Sequence, residues 1–269
     1  MTMHLRADRA VFRFSGPDAH KLLNDVVTGP VPNAGNEAAW WALLSPQGKV
    51  LAEGLAGWAR EALWLDVHAS VADDFFKRMK MYRLRASVVI DDLRETHRVG
   101  WAGAVEPGAI VHQGRIGHRV IDSADEAKGW VADDSNYAQA RIAAGIAELG
   151  QDFAPDSVFA HDIGMDILDG IDFAKGCYVG QEVVSRMKHR GTARRRPVIV
   201  HGVETAAPVL ANGRDSGTIG RVVDGAAVGI LRLDRFGADV EATVDGKSVT
   251  LELPSWATYA FGEVSAEEA

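Results

Sequence analysis

The chain has one cysteine, Cys177, in a short segment whose residue types suit nucleophilic or ligand-binding chemistry. Tyr178 follows it, and Gly176 and Gly180 lie close on either side, where glycine permits a tight turn or the near approach of a ligand to the backbone. Lys175 lies two residues before the thiol, and its positive charge would favour the reactive thiolate. This spacing predicts an exposed, reactive thiol.

The same cysteine has a second interpretation, a buried and inert side chain, because free cysteine is among the most buried residue types. Residue types alone leave both interpretations open. A single thiol cannot form an intrachain disulfide, and it does not supply the full ligand set of an iron–sulfur cluster, so a cluster would be transient or shared. The spacing of His161, Asp162 and Asp166 fits neither zinc nor iron, and we expect no resident metal.

A basic run follows the cysteine segment and comprises Lys188, His189, Arg190, Arg194, Arg195 and Arg196. It would suit the carboxylates or phosphates of a ligand or partner. Alternatively these charges are solvated or structural, because Pro197 immediately begins a predicted strand and adjoining loops are exposed. We favour the solvated or structural interpretation for most of them, and Arg186 and Arg190 are the better ligand candidates.

Composition limits the class of protein. With 269 residues, at about 100 to 200 residues per domain, we expect two domains or linked subdomains. The apolar fraction of 47% is typical of folded chains and excludes general disorder. The formal net charge of -8 disfavours nucleic acid as a partner. The absence of a long apolar run or an apolar leader predicts a cytoplasmic protein that does not enter the membrane.

Hydrophobic spacing predicts the elements that position these residues. A helix over 19–27 follows Pro17, and a hairpin joins 38–44 to 50–58 around a Pro-Gln-Gly turn. Strands and helices then alternate, and a helix is predicted over 136–149. From 197 onward, short β-branched runs separated by Gly or Asp predict a small β-barrel. The fold class is therefore α+β.

The string KGCYVGQE at 175–182 resembles the motif of the YgfZ family of folate-binding proteins, whose mitochondrial relatives assist iron–sulfur cluster assembly. Other segments also resemble this family, namely GPDAHKLLNDVVT, LLSPQGKVLAEG, YRLRASVVIDD, RIAAGI and SRMKHRGTARRRP. The resemblance covers nearly the whole chain. It is specific, because the first string matches over contiguous positions.

The resemblance implies a three-part cloverleaf arrangement, shared with the glycine-cleavage aminomethyltransferases, around a central tetrahydrofolate channel. Its parts would be a discontinuous folate-binding domain of residues 1–46 and 113–190, a second α+β domain of residues 47–112 and a C-terminal barrel of residues 191–262. Residues 263–269 would form a frayed tail.

The resemblance also implies site residues. Cys177 would act as the catalytic thiol, with Lys175 charging it. The implied folate contacts are Asn24, Asp25, Tyr82, Arg85, Arg141, Tyr178, Gln181, Glu182, Arg186 and Arg190. We expect a monomer whose partners are a folate and iron–sulfur client or assembly proteins.

The sequence departs from the transferases at acidic positions. Ala52 and Glu53 stand where the transferases have paired aspartates, and Ala143 stands where they have a folate-binding glutamate. Loss of a carboxylate that bonds the pterin would cost about 1.5 to 3 kcal/mol of binding. We therefore expect an accessory factor with a transferase-like fold. The alternatives are a one-carbon transferase that uses Glu53 and a scaffold that binds RNA or protein through 194–196.

Overall fold

The structure is a computed structural model that describes residues 2–35, 37–104, 110–191, 193–237 and 239–262. Backbone contacts divide the chain into two compact units. Unit 1 comprises Met1–Ser45, Leu51–Tyr137 and Asp169–Val179, and unit 2 comprises Pro46–Val50, Ala138–Leu168 and Gly180–Ala269. The three-part division given above stays a prediction, and the expected frayed tail, 263–269, lies outside the described residues.

Unit 1 contains two sheets. The strands of the five-stranded sheet are, in order, β3 (Ala39–Leu44), β4 (Val50–Ala59), β5 (Ala62–His68), β2 (Arg9–Ser15) and β6 (Val89–Asp92). The four-stranded sheet has the order β1 (His4–Leu5), β7 (His97–Ala102), β9 (Gly117–Ser123) and β8 (Ile110–Gly114). The predicted hairpin is confirmed as β3 and β4, which are neighbours in the first sheet.

Two helices accompany these sheets. Helix α1 (Ala19–Val26) buries Ala19, Leu22, Leu23 and Val26, which lie on one face because they are spaced by three or four residues. Helix α2 (Ala72–Arg83) buries Phe75, whose ring centroid lies 5.2 Å from that of Phe12 on β2 and 5.5 Å from that of Trp41 on β3. Short 3-10 helices span Ala69–Val71 and Glu126–Gly129.

Buried charges tie several strands of unit 1 together. Arg9 donates from Nη2 to Asp66 Oδ1 at 2.6 Å and from Nη1 to Glu53 Oε1 at 3.3 Å. Arg119 Nε lies 3.3 Å from the second oxygen of Asp66. All four side chains are buried. Because each charge lies beside an opposite charge, removing one partner would leave a buried charge uncompensated.

Unit 2 contains most of α3 (Ser135–Ala143), all of α4 (Gln181–Arg190) and the C-terminal strands. These strands form one sheet with the order β15 (Lys247–Ser248), β14 (Ala242–Val244), β11 (Pro208–Ala211), β12 (Arg214–Ile219), β13 (Ala226–Arg232), β10 (Arg195–His201) and β16 (Thr250–Glu252). Further 3-10 helices span Ala160–Ile163 and Leu233–Arg235. Buried valine, leucine and phenylalanine side chains form the barrel core.

The helix predicted over 136–149 is wrong at its C-terminal end, because α3 ends at Ala143. Gly145 has a φ of 64°, which ends the helical path. Arg141 donates to the carbonyl of Ile146 at 2.7 Å and to the carboxylate of Asp152, so its side chain closes the turn that follows. No helix in the described parts of the chain has both the length and the apolar character needed to cross a bilayer.

Acid should destabilise the fold through His161. This imidazole is buried in the 3-10 helix Ala160–Ile163, and burial lowers its pKa from 6.5 to about 4. Between these pH values the unfolded chain takes up a proton that the folded chain refuses. The contribution of His161 to the free energy of unfolding is therefore fully present above pH 6.5 and falls by up to about 3 kcal/mol as the pH decreases towards 4.

Urea unfolding at a series of pH values measures this effect. His161→Gln should reduce the slope of stability against pH between these limits, and His189→Gln, at an exposed position of α4, should leave it unchanged. Equal slopes for wild type and His161→Gln would contradict the assignment.

Candidate functional site

The segment that bears Cys177 is anchored within unit 1 by Thr28, which is fully buried. Thr28 Oγ1 donates to the carbonyl of Gly170 at 2.7 Å, and the Thr28 carbonyl accepts from the amide of Asp172 at 2.9 Å. The same hydroxyl accepts from the amide of Ala42 on β3 at 2.9 Å. The start of the segment is thereby fixed to the chain after α1 and to the five-stranded sheet.

Lys175 provides a second anchor. Its ammonium donates to the carbonyl of Gly29 at 2.8 Å and to the carbonyl of Val27, and it lies 5.2 Å from the ring centroid of Tyr178. Partial burial lowers the pKa of Lys175 to about 8, and the negative charges of Asp172 and Asp25 oppose this shift. The Lys175 ammonium is therefore held by the main chain that follows α1.

Gly29 is needed where it stands. A Cβ at this position would lie 2.0 Å from the carbonyl oxygen of Trp40, a distance that no side chain tolerates. The absence of a side chain lets the chain after α1 approach β3 and present the carbonyl that Lys175 binds. The sequence analysis missed Thr28 and Gly29, although a Thr-Gly-Pro run directly after a predicted helix is a signal for a tight turn.

Cys177 is exposed, so the prediction of an exposed thiol is confirmed and the interpretation as a buried, inert cysteine is wrong. The next residue, Tyr178, is buried, and burial raises the pKa of its phenol to about 12, which keeps it neutral. The half-buried Lys175 and the buried Tyr178 thus lie on either side of an exposed Gly176-Cys177 pair. The sulfur can react with or bind a group on another molecule.

The predicted role of Lys175 in charging the thiol remains a prediction. Its ammonium donates two hydrogen bonds to main-chain carbonyls, which supports an anchoring role. Within unit 1, Asp25 is near enough to act on the charge of Lys175, and it also pairs with Lys21. Asn24, on the same helix, is half-buried.

Two more predicted folate residues of unit 1 lie around the end of α2. Tyr82 is half-buried in the last turn of the helix. Arg85 is exposed in the turn that follows the helix. Their contacts with folate remain predictions.

The other predicted folate residues belong to unit 2. Arg141 is buried, pairs with Asp152, and its Nε lies 3.9 Å from a carboxylate oxygen of Glu148. This engagement gives Arg141 a structural role. On α4, Gln181 is half-buried, and the exposed residues are Glu182, Arg186 and Arg190. The last three recur at four-residue intervals and therefore share one face of the helix.

Part of the basic run is structural, as the sequence analysis favoured. Arg195 pairs with Asp162 at 2.8 Å. Arg196 donates to both oxygens of Asp166, at 2.7 and 3.0 Å, and to the carbonyl of His161 at 2.8 Å. The two acids of the His161, Asp162 and Asp166 cluster are thus both engaged by arginine. Across the described ranges, no group of three or more His, Cys, Asp or Glu side chains lies together as a metal site.

The structure shows the surroundings of the positions where the sequence departs from the acids of the transferases. Glu53 is buried, accepts a hydrogen bond from Trp40 Nε1 at 2.8 Å and pairs with Arg9. Ala52 is buried beside it in sequence, and Ala143 is exposed at the end of α3. Glu53 therefore holds the indole and guanidinium groups of its own unit.

A known structure has the same fold, with the two sheets of unit 1 and the C-terminal barrel of unit 2. The chain superposes on the glycine cleavage system aminomethyltransferase T from Bartonella henselae with a TM-score of 0.72, over 97% of this chain and 87% of that one, at 14% sequence identity. The chain therefore has the α+β fold of the aminomethyltransferases, and the expected fold class is confirmed.

Sequence comparison is more specific. Residues 194–259 match the family described as CAF17, C-terminal beta-barrel domain. The iron–sulfur cluster assembly factor IBA57 homolog of Pyricularia oryzae is 30% identical over 210 residues, which are 70% of this chain and 54% of that protein. Mitochondrial IBA57 of Mus musculus is 27% identical over 78% of this chain and 68% of its own, and that of Homo sapiens is 26% identical over 75% and 69%.

These findings confirm the expected resemblance in its broader part. The chain is similar to CAF17 and IBA57 iron–sulfur cluster assembly factors and has an aminomethyltransferase-like fold. The relatives bear the name IBA57 and not YgfZ. They are named as mitochondrial proteins, which overturns the expectation of a cytoplasmic protein. The chain spans about half the length of the fungal relatives that it matches.

Replacing Lys175 with Met should loosen the cysteine segment. The change removes two charge-assisted hydrogen bonds, together worth about 1 to 3 kcal/mol because the amine is partly exposed. We expect amide hydrogen exchange over 174–178 to accelerate about tenfold or more. Lys175→Arg should restore part of the protection, and Lys188→Met, at an exposed position of α4, should have no effect. Unchanged exchange in Lys175→Met would contradict the anchor.

Proposed function

We propose that this protein is an accessory factor in the assembly or repair of iron–sulfur clusters, that it binds tetrahydrofolate and that Cys177 is its working thiol. One observation carries the proposal most directly. The thiol is exposed on a segment that Thr28 and Lys175 anchor on the side that faces the protein. An exposed thiol on a fixed backbone can contact a second macromolecule in a defined position.

The relatives support the first part of the proposal. Proteins similar to most of this chain, from fungi and mammals, are named iron–sulfur cluster assembly factors. The match of 194–259 to the CAF17 barrel family agrees with this assignment. Because the chain spans only part of the fungal relatives, its clients and its exact step are proposed on the chemistry of its own residues.

The chemistry of Cys177 is that of a shared ligand or a sulfur nucleophile. A single thiolate supplies only part of the ligand set of a cluster, so the remaining ligands would come from a client or carrier protein. The cluster would then be a substrate that is transferred, and not a resident cofactor of this protein. The protein's contribution would be to present one sulfur ligand while a partner holds or receives the rest.

Folate binding is supported in part by the residues present. Exposed Arg186 and Arg190 on α4 suit the glutamyl carboxylates of a folate, because arginine binds carboxylates in a bidentate manner. Arg141 is already engaged by Asp152, and Ala143 offers a methyl group where the transferases have an acid. We therefore propose that these arginines hold the folate tail and that its pterin is held less tightly than in the transferases.

The YgfZ-type resemblance supports this narrower proposal over ordinary one-carbon transfer. A transferase would need an acid or base in place of the missing aspartates, and Glu53 is the nearest substitute. Its carboxylate is buried and bonded to Trp40 and Arg9, so it would have to exchange these partners to meet a substrate. The contacts with Trp40 and Arg9 are structural and do not favour a catalytic role.

Cys177→Ala should abolish rescue of cluster-dependent enzyme activity in cells that lack this protein, because no other thiol is available in the chain. Aconitase-type activity in extracts measures the outcome. Ala174→Ser, an exposed change in the same segment, is the matched control and should rescue fully. Full rescue by Cys177→Ala would remove the thiol from the mechanism and leave the folate proposal standing.

Titration calorimetry tests the folate part separately. We expect tetrahydrofolate to bind, and Arg190→Ala to weaken binding by about tenfold or more through loss of a charge-assisted bond. Arg214→Ala changes an exposed arginine of the barrel and should bind like wild type. Absence of binding to wild type would reject folate while leaving the role of the thiol intact.

A further inference from the structure

The exposed face of α2 is unlike an ordinary solvated helix face. The helix buries Ala72, Phe75 and Met79. Exposed residues in the second half of the helix and in the turn that follows form a set that we call the α2 surface: Lys77, Lys80, Met81, Arg83, Leu84 and Arg85. Its apolar members are large, and Met81 is 53% exposed and Leu84 86% exposed. Exposed apolar side chains ringed by polar ones are typical of interaction sites.

Leu84 is held outward by the backbone. It has a φ of 34° and a ψ of -96°, a conformation that residues with a side chain rarely adopt. The turn is closed by a hydrogen bond from the Ala86 amide to the Arg83 carbonyl at 2.7 Å, and the Ser87 amide donates to Asp18 at 2.8 Å. A strained residue fixed from both sides is preorganised, and such residues cluster at ligand clamps and functional sites.

The charges of the α2 surface are of one sign. The two acids at the start of the helix are already paired, Asp73 with Arg94 at 2.7 Å and Asp74 with Arg78 at 2.6 Å. Among the described residues, no carboxylate lies within ion-pair distance of the four cations of the α2 surface. Lys80 lies 4.1 Å from the ring centroid of Phe76, which fixes its position. The helix thus ends in a concentrated positive patch on a chain of net charge -8.

We propose that the α2 surface is a docking site for a short acidic segment of a partner protein, which places an apolar side chain on Met81 and Leu84 and its carboxylates against the surrounding cations. The proposal follows from charge complementarity and from the apolar centre. Of the α2 surface, only Arg85 is also a predicted folate contact; the residues that test the proposal, Lys80, Arg83 and Leu84, are not, and the surface adds a binding site to the proposed function.

A short protein segment fits better than a nucleic acid or a membrane. Screening limits the reach of charges to about 8 to 10 Å at physiological salt, so a short segment responds to the local positive patch. An extended polyanion also meets the rest of the molecule, whose net charge of -8 repels it. The apolar centre would add nothing to contact with the phosphates of a nucleic acid.

Fluorescence anisotropy with a labelled amphipathic peptide of leucine and glutamate tests the proposal. We expect binding that weakens with added salt and is lost when glutamine replaces glutamate in the peptide. Lys80→Glu with Arg83→Glu should weaken binding about tenfold or more, and Leu84→Ser about fivefold. Val131→Ser removes an exposed apolar side chain elsewhere and should bind like wild type.

Two further measurements make the outcome decisive. Thermal unfolding and alkylation of Cys177 should match wild type in the charge-reversed variant, which shows that its fold and thiol are intact. Wild type should bind phosphatidylserine vesicles and a single-stranded oligonucleotide more weakly than the acidic peptide. Failure of wild type to bind the peptide, equal binding by the charge-reversed variant, or tighter binding of either polyanion would overturn the proposal.

Discussion

The hydrogen bonds from the Lys175 ammonium to the carbonyl groups of Val27 and Gly29 determine where the only thiol of the chain stands. They join two segments that are far apart in sequence and leave Cys177 on the outer side. Thr28 adds hydrogen bonds between the same segments from a buried position. Because backbone carbonyls change position little, this anchor locates the sulfur more firmly than contacts between flexible side chains would.

Trp40 connects the buried charges of unit 1 with the chain beside this anchor. Arg9 pairs with Glu53, and Glu53 accepts a hydrogen bond from the indole of Trp40. The Trp40 carbonyl lies where a side chain of Gly29 would be, so its position decides how close the chain after α1 can come. A network whose buried members are all paired is rigid, and one lost member affects the others. The acid that resembles a catalytic residue in sequence thus serves the architecture of the site.

Periodic elements were predictable from the sequence. The spacing of apolar residues located α1 and the hairpin of β3 and β4, and turn residues located most of the barrel strands. Strand β2 was missed because two arginines interrupt its apolar pattern, although five of its seven residues are buried. The end of α3 was placed too late because Gly145 ends the helical path inside the predicted span, and the side chain of Arg141 then closes the turn through contacts that apolar spacing does not reveal.

The site was predictable where residue types are rare. The single cysteine and its motif were identifiable from the sequence. Thr28 and Gly29 are common residue types, and their importance comes from contacts made across the fold. Arg141 was expected to meet a ligand, and its burial beside Asp152 appears only once the chain is folded. Pairing partners, and not residue types, decide such roles.

The contrast between Cys177 and Tyr178 determines what natural variation at each position would mean. The sulfur faces outward, so its loss leaves no cavity, and a variant lacking it should accumulate to normal levels. The phenol beside it is 8% exposed, so its loss creates a void and lowers the amount of folded protein. Loss of Cys177 should therefore impair the chemistry of the protein, whereas loss of the neighbouring Tyr178 should reduce the amount of folded protein.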